Sequence, residues 1–191
     1  MVVARAPRST WIEAGLRALA VGGPDAVRVE ALARTLGVTK GSFYWHFENR
    51  DALLDDILDT WERVSVDDVI ERIEGTRAEQ AASARSKLER LGALILSTDV
   101  LGIEPLAVDL AIRDWARRDE TVAHRLRSMD NRRMDYMRSL FRTFCADPTE
   151  VEDRCLLAFS LWIGSHFIAA EHRGRSRANV LQGAFQRIIE A

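Results

Sequence analysis

Apolar residues recur three and four places apart along almost the whole chain, and no strict alternation of apolar and polar residues is sustained. That period is the helical one, so the pattern predicts an all-α fold of about nine helices. The first helix begins near Thr10, where Thr10 and Glu13 have the spacing of a capping box. It turns Ile12, Leu16 and Leu19 inward and stops at Gly22-Gly23-Pro24. The second covers 30–36 and ends at Gly37, a residue suited to a left-handed turn. The third opens at Thr39 as its cap and lasts about two turns. Glu48-Asn49 breaks the pattern, and a long helix follows from Arg50 into the low seventies, with Leu53, Leu54, Ile57, Leu58, Trp61 and Val64 on its apolar side. Further helices are predicted over 78–97, 105–117, 120–145, 148–170 and 178–190. Asp119 caps one of them, and Asp147-Pro148-Thr149-Glu150 opens the next with a cap, a first-turn proline and a glutamate at the third position.

Residues 28–50, RVEALARTLGVTKGSFYWHFENR, carry the most information. A two-turn helix, a short turn containing Gly37 and a second short helix make the helix-turn-helix layout. Within it, Phe43-Tyr44-Trp45-His46-Phe47 advances about 100° per residue and sweeps the whole circle, so a short surface helix cannot bury all five. Phe43 and Phe47, four apart, are the natural anchors. Tyr44, Trp45 and His46 then point outward, although packing of Tyr44 and Trp45 under neighbouring helices is the alternative. A helix is narrow enough for the major groove of DNA. Lys40 can donate to guanine acceptors, and Gly41 permits close backbone approach. Ser42, Tyr44 and His46 offer donors to phosphate oxygens, and Arg50 adds charge at a helix start.

Charge supports that location. The net charge of the 191 residues is −2. Residues 1–50 nevertheless carry seven basic groups (Arg5, Arg8, Arg17, Arg28, Arg34, Lys40, Arg50) against four acids (Glu13, Asp25, Glu30, Glu48), a net +3 that leaves −5 on the remainder. A basic end on an acidic body suits a polyanion at that end. Cys145 and Cys155, the only cysteines, make no disulfide framework and are expected as reduced, buried thiols of a cytoplasmic protein. No run of about 18 apolar residues exists to span a membrane, and no secretory leader is evident. Neither a Gly-rich phosphate loop, nor His-Glu-x-x-His, nor Gly-x-Ser-x-Gly occurs, and His46, His124, His166 and His172 lack metal-ligand spacing. No enzyme, metal or cofactor is expected. A helical adaptor or scaffold without DNA binding is the other reading, with an enzyme behind it.

The stretch from Trp11 to Leu54 resembles the DNA-binding domain of the TetR family of bacterial repressors. The resemblance is carried by Ala14 and Gly23, Leu32-Ala33, Leu36-Gly37-Val38, and Tyr44-x-His46-Phe47 followed by Arg50-x-x-Leu53. It implies a homodimer with an N-terminal DNA-binding domain over 1–50 and a helical domain over 51–191 that takes a small-molecule effector and dimerises. By the same resemblance Lys40, Gly41 and Tyr44 lie near bases, while Thr39, Ser42, Trp45, His46 and Arg50 lie near phosphates, and the regulator is a repressor. The sequence departs from the family at Arg28-Val29-Glu30, where a Thr or Ser commonly opens the second helix. Arg28 can still reach a phosphate. Glu30 would be repelled by DNA unless it meets a base amino group or a nearby arginine.

In the C-terminal part, the 148–170 helix has two apolar sides, one of Val151, Cys155, Phe159, Trp162 and His166 and one of Leu157, Leu161, Gly164 and Ile168. The last helix is similarly broad. Two such helices predict a four-helix interface between two copies, with Phe159, Trp162, His166, Val180, Ala184 and Ile188 in it, the alternative being helices wholly internal to one subunit's core. Two reading heads would then meet the half-sites of a palindromic operator about one DNA turn apart. Trp61, Trp115, Met129, Met134, Met137 and Phe141 are the candidate lining of the effector pocket, although for any one of them ordinary core packing is the weightier reading.

Overall fold

A computed structural model describes residues 6–96 and 105–190. Among these every regular element is helical, and they form two compact units. One takes the described residues of Met1–Ser65 and Asp99–Ser128, the other those of Val66–Thr98 and Met129–Ala191.

The first unit opens with α1 (Arg8–Gly22), a 3₁₀ turn (Pro24–Ala26), α2 (Val29–Thr35), α3 (Lys40–Phe43) and α4 (Arg50–Glu62). It also contains α8 (Pro105–Ala116) and the first part of α9 (Glu120–Phe141). Both α4 and α8 lie against α1, which is why compactness divides the chain after Ser65 rather than at residue 50. The core is apolar and aromatic: Trp11, Leu19, Phe43, Leu53 and Ile57 are fully buried. Trp11 meets Phe43 edge-on with ring centroids 5.3 Å apart, and Phe43 stacks on Phe47 at 5.1 Å. The spacing of those two phenylalanines thus fixes how α3 seats on α1.

Capping differs from expectation at several helix starts. α1 begins at Arg8 behind Pro7, with no side-chain cap, so Thr10 and Glu13 lie inside the helix and form no capping box. A capping box does form at Thr76 and Glu79, the start of α6 (Arg77–Gln80): Glu79 N donates to Thr76 Oγ1 at 3.1 Å, and Thr76 N to Glu79 Oε2 at 2.8 Å. Asn49 caps α4 by accepting from Ala52 N at 2.9 Å. Asp119 accepts from Thr121 N and Val122 N, and Asp147 from Thr149 N, as their positions predicted.

Two predicted helices are divided. The helix from Arg50 passes through a π-helical turn (Arg63–Asp67) before α5 (Asp68–Glu74), and the 78–97 prediction separates into α6 and α7 (Ala84–Leu96). α9 ends at Phe141, and α10 (Pro148–Phe167) stops before 170. Ser176 caps α11 (Arg177–Glu190) by accepting from Asn179 N at 3.2 Å.

The second unit comprises α5, α6, α7, the later part of α9, α10 and α11. Ile73, Leu88, Leu91, Met137, Leu140, Phe141, Cys145, Val151, Cys155, Ala158 and Ile189 form its core. Two arginines receive the last carbonyls of α11, which have no partner within the helix. Arg85 Nη1 donates to the Ile189 carbonyl at 2.7 Å, and the buried Arg154 donates from Nη1 to that of Ile188 at 2.5 Å. α7 and α11 approach closely where the Phe185 ring lies over Gly92: a Cβ at residue 92 would stand 2.5 Å from Phe185 Cε1. No described helix is long and apolar enough to cross a membrane.

Candidate nucleic-acid interface

α2, the turn 36–39 and α3 form the helix-turn-helix expected from the spacing. Gly37 has φ 66°, a left-handed conformation that costs a side-chain-bearing residue. It donates to the Arg34 carbonyl at 3.2 Å, and Val38 N donates to that of Ala33 at 3.0 Å, which turns the chain sharply into α3. The α-helical part of α3 is a single turn, Lys40–Phe43. Residues 44–46 continue as a tighter turn in which His46 N reaches the Phe43 carbonyl at 2.9 Å.

The outward side of this element carries Thr39, Lys40, Gly41, Tyr44 and Trp45, with Arg28 exposed at the start of α2. Tyr44 is 54% and Trp45 70% exposed although both are large aromatics, so neither is sealed beneath its own subunit. Thr39 occupies the cap position of α3 without its hydroxyl capping the helix.

Ser42 does not join this surface. It is 4% exposed, with no hydrogen-bond partner for its hydroxyl among the described residues, and it packs inward beside Phe43. The expectation that it donates to a phosphate is corrected: one position before Phe43 on a one-turn helix, Ser42 shares the buried side.

His46 and Arg50 each direct side-chain nitrogens to backbone carbonyls of the head. His46 donates from Nε2 to the Ala6 carbonyl at 2.9 Å. Arg50 donates from Nε to the Val27 carbonyl at 2.7 Å and from Nη2 to that of Pro24, bracing the segment that leads into α2. Arg8, which the sequence reading did not single out, completes the frame. Its Nε donates to Asp56 Oδ2 at 2.7 Å and its Nη1 to the His46 carbonyl at 2.6 Å, while the guanidinium lies 4.6 Å from the centre of the Phe47 ring. Its partners stand 38 and 48 residues away, and no local pattern marks such a contact.

Glu30 is engaged chiefly by Lys40, with Arg28 a smaller favourable influence. It accepts a hydrogen bond from Lys40 Nζ, joining the first turn of α2 to α3 across the exposed face. The carboxylate raises the Lys40 ammonium above its ordinary range, with the Tyr44 hydroxyl a smaller influence in the same direction. Lys40 in turn holds the Glu30 carboxyl below its ordinary range.

The other candidate residues fall as follows. Trp61, buried in α4, and Trp115, half-buried in α8, belong to the first unit. Met129, Met134, Met137 and Phe141 belong to the second, where Met137 and Phe141 are part of the core and Met134 packs against it. Phe159 and Ile188 also pack on that core, and Trp162 lies under the Arg133 guanidinium at 5.1 Å. Val180 and Ala184 are half-buried and His166 exposed. The open apolar surface of α10 and its end consists instead of Leu156, Leu157, Phe167 and Ile168.

Residues 12–57 match the sequence profile of the bacterial regulatory proteins of the tetR family. None of the curated proteins compared with the chain matches it. Among solved structures, a Saccharomonospora viridis protein described as a transcriptional regulator and solved in complex with choline is similar over 96% of this chain and 95% of its own, with a TM-score of 0.77 at 20% identity. A TetR-family transcriptional regulator from Agrobacterium tumefaciens is similar over 96% and 95%, with a TM-score of 0.74 at 12% identity. A TetR transcriptional regulator from Chloroflexus aurantiacus is similar over 95% and 91%, with a TM-score of 0.72 at 16% identity. These likenesses concern the fold alone, whereas the match to the profile of the bacterial regulatory proteins of the tetR family falls on the helix-turn-helix itself.

Proposed function

We propose that the protein is a cytoplasmic, homodimeric repressor that reads a palindromic operator through α3 and leaves it when a small molecule binds. One observation supports the reading above others: Lys40, Gly41, Tyr44 and Trp45 stand on one exposed surface, held from behind by buried Phe43 and Phe47. Solvent-facing tryptophan and tyrosine are costly to leave bare, and beside a lysine and a glycine they fit a groove and its phosphates. Lys40 and Tyr44 read base edges, with Gly41 allowing close approach. Arg28, Thr39 and Trp45 contact phosphates. His46 and Arg50 serve chiefly by holding the head in shape.

Residues 1–50 act in DNA binding and 51–191 in effector binding and dimerisation. The second copy covers the apolar surface of Leu156, Leu157, Phe167 and Ile168 together with neighbouring Trp162, His166, Val180 and Ala184. Among the pocket candidates, Trp61 and Trp115 are retained, since tryptophan suits both apolar and cationic ligands. The choline found with the Saccharomonospora viridis regulator makes choline the first effector probe.

Selection of bound sequences from random DNA tests the core of this reading. The expected product is a two-fold symmetric consensus with half-sites about one helical turn apart. Enrichment of no sequence by the purified protein would overturn it. Lys40→Ala should then lower affinity for the selected duplex more than for unselected DNA.

A further inference from the structure

Lys40 is the one ammonium on the exposed face of α3, and Glu30 holds it. Both side chains are at least half exposed, so the pair is not a device of the core. An exposed ion pair contributes little to stability. Its position is more telling, because the carboxylate stands on the surface proposed to face a polyanion.

We propose that Glu30 is a selectivity-determining residue of the reading head, which withholds Lys40 from phosphates and presents it to base edges. The inference rests on the proposal that α3 enters the major groove. An ammonium has three N–H donors, and Glu30 occupies one. The remaining two can reach the O6 and N7 acceptors of a guanine with the ion pair intact. A phosphate offers no such compatibility. To lie against one, Lys40 must bring an adjacent carboxylate toward a second anion or abandon it, so the pair adds no net counterion release on unselected DNA. Tyr44 also influences the Lys40 ammonium, more weakly than Glu30 does. Lys40 therefore adds affinity where a guanine stands in register and adds little elsewhere.

The test compares Glu30→Gln with the parent protein on two duplexes of equal length, one selected by the parent from random DNA and one unselected, across a salt series. The glutamine keeps size and hydrogen-bonding capacity and removes the charge, and a thermal melt verifies folding. Glu30→Gln should bind unselected DNA about fivefold to tenfold more tightly per reading head near 0.1 M salt, with a log–log salt slope steeper by about one per head. Affinity for the selected duplex should rise less, so the ratio between the two falls at least threefold, by about the same reasoning. In a Lys40→Ala background Glu30→Gln should leave that ratio unchanged. An unaltered ratio in the parent background, or an equal fall in both backgrounds, would overturn the proposal while leaving α3 as the reading element. A parent protein that discriminates between no two duplexes would overturn both.

Discussion

Arg50 Nε donates to the Val27 carbonyl at 2.7 Å, so the first residue of α4 holds the residue that leads into α2. A second donation, to Pro24, makes the guanidinium a brace across the 3₁₀ turn. Arg50→Ala leaves two carbonyls without their charged donor and should cost about 1.5–3 kcal/mol of stability. Arg50→Lys should recover only part, since an ammonium cannot span both carbonyls from one planar fork. Chemical denaturation of the three proteins checks both statements.

Ser42→Ala should have the opposite sign. The hydroxyl is buried with no hydrogen-bond partner among the described residues, so its removal relieves a desolvation cost. A gain of up to about 1 kcal/mol is expected, with DNA affinity unchanged. A several-fold loss of affinity would restore Ser42 to the DNA-facing surface.

How much of this was legible in the sequence varies with range. The period of Phe43 and Phe47, the left-handed Gly37 and the caps Asp119 and Asp147 act within one helical turn, and each appeared as read. Ser42 has the residue type of a phosphate donor, but its place on a one-turn helix puts it on the buried side with Phe43. The roles of Arg8, His46 and Arg50 escaped because their partners lie 23 to 48 residues away, where no local pattern reaches. Glu30 stands out in the sequence as an acid at a position proposed to face DNA, but its partner Lys40 depends on how the turn 36–39 folds α3 back beside α2.

Gly92→Ala should destabilise the second unit. The added methyl would lie 2.5 Å from Phe185 Cε1 and 2.6 Å from Cδ1, within the contact of α7 with α11. Overpacking of this kind costs about 1–3 kcal/mol. Combining it with Phe185→Leu should recover part of the loss, which calorimetric melting would detect.

Leu157→Glu places a charge on the exposed apolar surface of α10. Sedimentation of the parent should give about twice the 21.6 kDa chain mass and that of the variant the single mass, with helicity retained. A variant that remains dimeric would move the interface elsewhere.

Burial pushes the Cys155 thiol up to about 11. The thiol is the uncharged form, so below the unfolded-chain value of about 8.5 both states hold the proton and the group has no effect on the pH dependence. Between about 8.5 and 11 the unfolded chain releases its proton first, and stability falls as pH rises. Maleimide should label Cys155 slowly in the native protein at neutral pH and rapidly after denaturation. Replacement by Ala should flatten the alkaline decline.

The Arg8 contacts turn the head into a closed circuit. The start of α1 grips the end of the reading element and the middle of α4 at once, over separations of 38 and 48 residues. Such closures form only when the chain between them is already arranged, because the entropy of drawing distant points together must be met first. On the proposed function, recognition of an operator is therefore available to the whole head or to none of it, and a partly assembled head would have no half-working grip with which to occupy a wrong site.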